Sequence, residues 1–161
     1  RMSLELDKTL ASNSGAREEV ITIRDGMDMA LCVIDHENHC VEFAGAVNEL
    51  YLVRNNEIIN HKGNRQPLGR FVDHVVPDYT TTSIPILPGD MIYLFTDGYV
   101  DQFGGADMKK FKYRRFRHLL LNIHQLAPDD QKAILHQKLE EWKGDLEQVD
   151  DILVLGFSPF R

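Results

Sequence analysis

Cysteine is scarce. The 161 residues include two, Cys32 and Cys40, and no Cys-x-x-Cys pair. If the chain turns at Glu37-Asn38, Cys32 faces Phe43 across the hairpin and Cys40 faces Asp35. The thiols then lie on opposite faces of a sheet, which excludes a disulfide between them. Free thiols fit a reducing compartment. Long apolar runs are also missing: no stretch approaches the ~18 residues that a membrane-spanning helix needs. The start, Arg1-Met2-Ser3-Leu4-Glu5-Leu6, is amphipathic and has no leader-like apolar core. These absences predict a cytoplasmic domain, although a parent protein could be membrane-anchored. Positive charge is in deficit, with a formal net charge of -7. This argues against nonspecific nucleic-acid binding by the whole surface and leaves clustered acids in need of a cation. There is no internal repeat and no low-complexity tract.

What remains is ordinary for one domain. Hydrophobic residues make up 43% and charged residues 27%, and a chain of this size buries roughly 70% of its unfolded surface. Met2, Leu6 and Leu10 predict a helix over 2–12, followed by a polar loop over 13–19. Met29 to Ile34 is apolar on both alternating faces, which predicts a central strand covered on both sides. It turns over 36–39 and returns as Cys40 to Gly45. Leu50 to Val53 and Glu57 to Ile59 flank Asn55-Asn56, a two-residue hairpin signal because asparagine tolerates positive φ. Residues 61–78 read as a long irregular loop, a candidate functional segment. Thr80 to Leu87 is β-rich, Pro88-Gly89-Asp90 is a turn, and Met91 to Phe95 is a strongly apolar strand.

The last third is helical. Phe116, Leu119, Leu120 and Ile123 mark the buried stripe of one helix. Pro128 opens the next, with Asp129 and Asp130 opposing its dipole. Ile134, Leu135, Leu139 and Trp142 continue its stripe, and Gly144 ends it. Ile152 to Phe157 closes the chain as an apolar strand. Grouped strands with segregated helices predict an α+β fold.

Two acidic points stand out by position. Asp97 follows the strand Met91–Phe95, in Phe95-Thr96-Asp97-Gly98, and Gly98 lets the chain turn sharply there. Asp150-Asp151 immediately precedes Ile152–Phe157. A sheet can aim short carboxylates from such ends at one point, where their repulsion calls for a proton or a cation. Hard oxygen ligands suit Mg²⁺ or Mn²⁺. Taken alone, an Asp-Gly at a strand end is more often a turn, and an Asp-Asp pair more often solvated.

The pattern as a whole says more. Gly89-Asp90-Met91-Ile92-Tyr93-Leu94-Phe95-Thr96-Asp97-Gly98 resembles the signature strand of metal-dependent serine/threonine protein phosphatases, in their bacterial sporulation-stage-II-E and sigma-regulator branch. Gln148-Val149-Asp150-Asp151-Ile152 resembles the closing motif of that family. Gly26-Met27-Asp28-Met29-Ala30-Leu31-Cys32-Val33-Ile34-Asp35 is similar to one of its core strands. Phe43-Ala44-Gly45-Ala46, Gln66-Pro67-Leu68-Gly69 and Tyr99-Val100-Asp101-Gln102-Phe103-Gly104-Gly105 are further landmarks, in order.

The resemblance implies two packed antiparallel sheets flanked by helices, with a pair of Mn²⁺ or Mg²⁺ ions between them and a bridging water. It carries over Asp97 and Asp150 as catalytic metal ligands, with Gly98 beside the first. Asp151 is the lesser member of its pair, because it leads into the strand on the other face. A metal-activated water needs no covalent intermediate, in accord with the lack of a nucleophile motif. The implied partners are a phosphorylated regulatory protein of the anti-sigma-antagonist type and an upstream sensor or receiver domain.

The family's first metal motif, an aspartate with a Gly- and His-containing loop, precedes its first long helix. This chain begins inside what reads as that helix. The expectation is therefore a domain lacking its first strands and bridging aspartate, weak or inactive by itself and prone to self-association through uncovered apolar surface. Asp25-Gly26 repeats the Asp-Gly pair, but its place before a different strand argues against a substitute role.

Other readings compete. His36-x-x-His39-Cys40 with Cys32 could suggest zinc, but the facing of the cysteines favours a polar hairpin tip. The basic run Lys109 to His118, interleaved with aromatics, invites nucleic acid. A helix start with Phe116 in the core and its charges in water is the plainer reading, and argues against a nucleic-acid partner. Between these stands a role in drawing a phosphorylated substrate toward the site, with Arg114 or Arg115 offering a fork that matches phosphate. A phosphatase-like interaction module without catalysis is the alternative function.

Overall fold

The computed structural model describes residues 26–69 and 78–160. The predicted helix over 2–12, the loop over 13–19 and Asp25 lie outside the described residues.

The strands are β1 (Gly26–Met27), β2 (Met29–Asp35), β3 (Cys40–Ala46), β4 (Leu50–Arg54), β5 (Glu57–His61), β6 (Leu68–Gly69), β7 (Thr82–Pro85) and β8 (Met91–Phe95). After β8 come α1 (Gly98–Asp101), β9 (Phe103–Gly104), β10 (Lys109–Lys110), α2 (Tyr113–Ile123), α3 (Pro128–Lys143) and β11 (Val154–Phe157). All strand pairing between these elements is antiparallel. A four-stranded sheet has the order β11-β8-β4-β5, and a three-stranded sheet has the order β2-β3-β7. Two short ladders, β1-β6 and β9-β10, complete the set.

Period-2 alternation builds the layers. Leu50 and Leu52 of β4 and Ile92 of β8 turn to one side, where they pack with Val41, Phe43, Ile84 and Ile86 of the other sheet's face. Tyr51, Val53, Tyr93 and Phe95 turn to the opposite side and meet Tyr99, Phe116, Leu120 and Leu139. The result is sheet on sheet, with α2 and α3 covering the outer face of the four-stranded one. The helix stripes fall as their spacing predicts: Phe116, Leu120, Ile123 and Leu139 are buried, with Leu119, Ile134, Leu135 and Trp142 packed at the margin.

Several expectations need correction. β2 is not a central strand covered on both sides: among the described residues it is the edge of its sheet, and Leu31 and Val33 are 46% and 56% exposed. The doubly covered strands are β4 and β8, whose apolar runs feed both cores. The first part of the 61–78 segment is tied down. The Asn64 carbonyl accepts from Val47 N, Asn64 N donates to the Gly45 carbonyl, and Thr80 N donates to Asn64 Oδ1. Leu68 and Gly69 then pair with β1, while residues 70–77 lie outside the described set. The closing strand starts at Val154, two residues later than predicted.

The hairpin register places Cys32 opposite Phe43 and Cys40 opposite Asp35, and both thiols are free. The tip is polar: Asp35 accepts from the backbone N–H of Glu37 and Asn38. Asn55 and Asn56 have φ of 51° and 62°, the left-handed pair a tight hairpin requires.

One buried ion pair braces the four-stranded sheet, and its arginine also reaches the other sheet. Asp90, read from sequence only as a turn residue, is 2% exposed. It accepts from Arg54 Nε at 2.9 Å and Nη2 at 2.6 Å, and from Leu87 N at 2.8 Å. Arg54 Nη2 also donates to the Pro85 carbonyl in β7 at 2.8 Å. Arg54→Met should leave this buried carboxylate without its cation and lower stability by about 2 kcal/mol. Urea unfolding of the two proteins measures the difference. A midpoint equal to that of the parent chain would make the pair dispensable.

Candidate metal and phosphoryl site

The ends of β8 and β11 lie side by side. Their ladder pairs Phe95 with Val154 and runs on past the strand ends. Thr96 N donates to the Leu153 carbonyl, Leu153 N donates to Thr96 Oγ1, and Thr96 Oγ1 donates to the Asp151 carbonyl at 2.8 Å. Asp97 and the Asp150-Asp151 pair are thereby held at the same end of the sheet. Thr96, an interior member of a motif that sequence reading used only for its aspartate, is the clamp.

Gly98 is required by this clamp. It starts α1 and is buried against the opposite segment. A β-carbon there would lie 2.5 Å from the Asp151 carbonyl oxygen and 3.0 Å from Ile152 Cγ1. The glycine therefore sets the distance between the two acidic segments. The Asp151 contribution is its backbone carbonyl. The Asp150 carboxylate accepts from Asp151 N at 2.7 Å, and Gln148 Nε2 donates to the Asp150 carbonyl at 2.7 Å. The side chains of Asp97, Asp150 and Asp151 are exposed.

A third carboxylate joins them, one that sequence reading passed over. Asp28 sits between β1 and β2, placed by the pairing of Met27 with Leu68. Its carboxyl is held above the ordinary aspartate range, first by partial withdrawal from water and then by the charges of Asp97 and Asp150. The signal was present: Asp28 immediately precedes an apolar strand, the criterion that singled out Asp150. Tyr113, on the first turn of α2, feels Asp97 as well. Its hydroxyl is raised by burial, then by Glu49, Asp97 and Asp101, with Arg117 acting in the opposite sense.

Of the two arginines suggested for a phosphate, Arg115 is committed to the fold. Its guanidinium lies 4.6 Å from the Trp142 ring centroid and donates to the Phe111 carbonyl. Arg114 is exposed and has no hydrogen bond or ion pair among the described residues.

The donors at the site are carboxylate and carbonyl oxygens, the chemistry that Mg²⁺ and Mn²⁺ prefer. Among the described residues no three His, Cys, Asp or Glu side chains converge closely enough to hold one ion. Asp97 and Asp150 offer oxygen donors of the kind a hard cation takes, from the paired ends of two strands. Among the described residues no helix is long and apolar enough to cross a membrane.

Comparison with known families decides the lineage. Residues 3–158 match the family of Stage II sporulation protein E (SpoIIE). The chain belongs to that family. Among solved structures it is similar to the SiaA-PP2C domain of Pseudomonas aeruginosa, with 34% identity and a TM-score of 0.76 over 88% of this chain. It spans 55% of the length of that domain. The phosphatase domain of SpoIIE from Bacillus subtilis, in a crystal presoaked with Mn, shares the fold: TM-score 0.63 and 14% identity, with 100% of this chain and 73% of that one covered. The serine/threonine phosphatase PstP/Ppp of Mycobacterium tuberculosis shares it more distantly, at TM-score 0.50 and 15% identity over 80% of this chain and 58% of that one. Among curated protein sequences none matches. The α+β sandwich expected from the sequence is therefore the PP2C-type phosphatase fold, in its SpoIIE-like branch.

Proposed function

We propose that this SpoIIE-family domain hydrolyses phosphoserine or phosphothreonine on a regulatory protein in bacterial signalling. The observation that carries the reading is the alignment of Asp97 with the Asp150 segment at the paired ends of β8 and β11, held by Thr96 and Gly98, with Asp28 near enough to feel both charges. Asp97 and Asp150 would hold Mn²⁺ or Mg²⁺, with Asp28 contributing a third oxygen donor. A bound ion of this kind supplies a water acidic enough to attack at neutral pH and offsets charge on the phosphoryl group.

The chain's own residues do the positioning. Thr96 and Gly98 fix Asp97 against the segment that carries Asp150, and Gln148 holds the Asp150 backbone. The substrate would be a small phosphorylated regulator of the anti-sigma-antagonist type, with input from a sensor or receiver domain in the same protein. The alternative, a non-catalytic interaction module, draws on the absence of a three-ligand group among the described residues.

The test is phosphate release from a phosphoserine peptide in Mn²⁺, with EDTA and a phosphotyrosine peptide as contrasts. Weak, Mn²⁺-dependent release from phosphoserine alone is expected. No Mn²⁺ response in release or in calorimetric binding would leave the interaction module.

A further inference from the structure

We propose that the groove between α2 and α3 docks an acidic segment flanking the phosphorylated residue of a protein substrate. The identity of that partner as a substrate rests on the phosphatase reading; the docking itself does not. The groove has a volume of about 1050 Å³, and its basic lining is Lys112, Arg114, Arg115, Arg117 and Lys138, with His118 beside them.

No acid lines it, although the whole chain carries a net charge of -7. Among the described residues no carboxylate pairs with Lys112, Arg114, Arg115 or Arg117, and only Lys138 has one, in Glu141 at 2.6 Å.

The placement works against local stability. Lys112 and Arg114 crowd the start of α2, where the helix dipole disfavours cations, and the first turn holds no acid. Lys112 also adopts φ +74°, a left-handed conformation for a long side chain, with no side-chain cap. The Lys112 backbone is tied into the fold by its N–H donating to the Val100 carbonyl at 2.7 Å, but the cations of Lys112 and Arg114 find no such return, and local choices of that kind mark functional surface.

Two of the cations are preorganised. Arg115 lies over Trp142, and Arg117 lies 5.2 Å from the Tyr51 ring centroid with Nε donating to the Tyr51 hydroxyl at 3.0 Å. An anionic partner would meet them already ordered, at reduced entropic cost. Leu119 and Leu121 supply an apolar floor.

The aromatics of this stretch decide between protein and nucleic acid. Phe111 and Phe116 are 7% and 0% exposed, and Tyr113 packs against Phe95 with centroids 6.4 Å apart. Tyr113 is 40% exposed, but a single ring is no platform for successive bases. The same Tyr113–Phe95 contact joins the start of α2 to the end of β8, two residues before Asp97. The start of α2, where Lys112 and Arg114 line the groove, thus lies near the strand end that carries Asp97.

The experiment is fluorescence anisotropy on the full chain. The probes are a fluorescein-labelled peptide with one phosphoserine followed by glutamates, its glutamine counterpart, and a single-stranded oligonucleotide of equal charge. The glutamate peptide should bind at least about tenfold tighter than the glutamine peptide and weaken as salt rises. Lys112→Glu with Arg114→Glu should remove that advantage, while Arg114→Lys should retain it.

Equal binding of the two peptides would overturn the proposal, as would a charge-reversed chain that still prefers glutamate. Tighter binding of the oligonucleotide, lost in the charge-reversed chain, would assign the groove to nucleic acid instead. None of these readouts needs turnover, so a chain that binds the glutamate peptide and releases no phosphate refutes the phosphatase reading alone.

Discussion

Replacing Asp97 by asparagine is expected to weaken Mn²⁺ binding, and with it phosphoserine hydrolysis, by at least about 100-fold, because losing even an outer-shell partner of a ligand costs 10–100-fold. The change is nearly isosteric, so the clamp made by Thr96 and Gly98 should survive it. A second effect has the opposite sign and separates ligation from general damage. Without metal, the Asp28 carboxyl is raised partly by the Asp97 charge. An acid whose folded pKa exceeds its unfolded value binds protons more tightly when folded, so the repulsion lowers stability as pH rises from the ordinary aspartate range. Asp97→Asn removes one source of that repulsion. The metal-free variant should therefore melt no lower than the parent chain at neutral pH, and slightly higher at low ionic strength. The rise in melting temperature that Mn²⁺ gives the parent should vanish. A variant that still gained stability from Mn²⁺ would remove Asp97 from the ligand set. A variant that melted lower without metal would show a structural rather than a ligating role.

Local rules made much of the fold legible before the structure. The Cys32–Phe43 and Asp35–Cys40 pairings followed from placing one turn at Glu37-Asn38, because register in a hairpin is fixed by its turn. Asn55-Asn56 announced its own left-handed backbone. The helix stripes followed from spacing alone. The failures were of longer range. Met29–Ile34 and Leu50–Val53 are both continuous apolar runs, and alternation cannot say which one is sandwiched between two layers. That depends on partners far along the chain: β4 lies between β8 and β5, while β2 has only β3 beside it among the described residues. Asp90 was hidden by its own motif, since Pro88-Gly89-Asp90 satisfies a turn and gives no hint of Arg54, thirty-six residues earlier. At the site, Asp97 and Asp150 were visible because each ends or begins an apolar strand. Asp28 meets the same criterion, but it stands in a segment whose apolar content is the stronger signal.

Gly98→Val should produce the largest loss of stability of any substitution at the site, about 3 kcal/mol, at the upper end of overpacking penalties. The new β-carbon would press on the Asp151 carbonyl carbon and oxygen at 3.0 and 2.5 Å. These are backbone atoms, so relief requires a segment to move. If the 150–152 segment retreats, Thr96 Oγ1 loses the Asp151 carbonyl, and the Leu153 N–H loses Thr96 Oγ1. If α1 tilts instead, Asp97 turns with it. Either way the two carboxylates part, and Mn²⁺ affinity should fall together with the urea midpoint. Gly89→Ala provides the contrast. Gly89 has φ +88° with nothing within 4 Å of a built β-carbon. Alanine there should cost about 1 kcal/mol of backbone strain and leave Mn²⁺ binding intact. A Gly98→Val chain that lost stability but kept its Mn²⁺ affinity would show that the spacing between the β8 and β11 ends does not set the metal site. Asp97 would then have to act independently of the Asp150 segment.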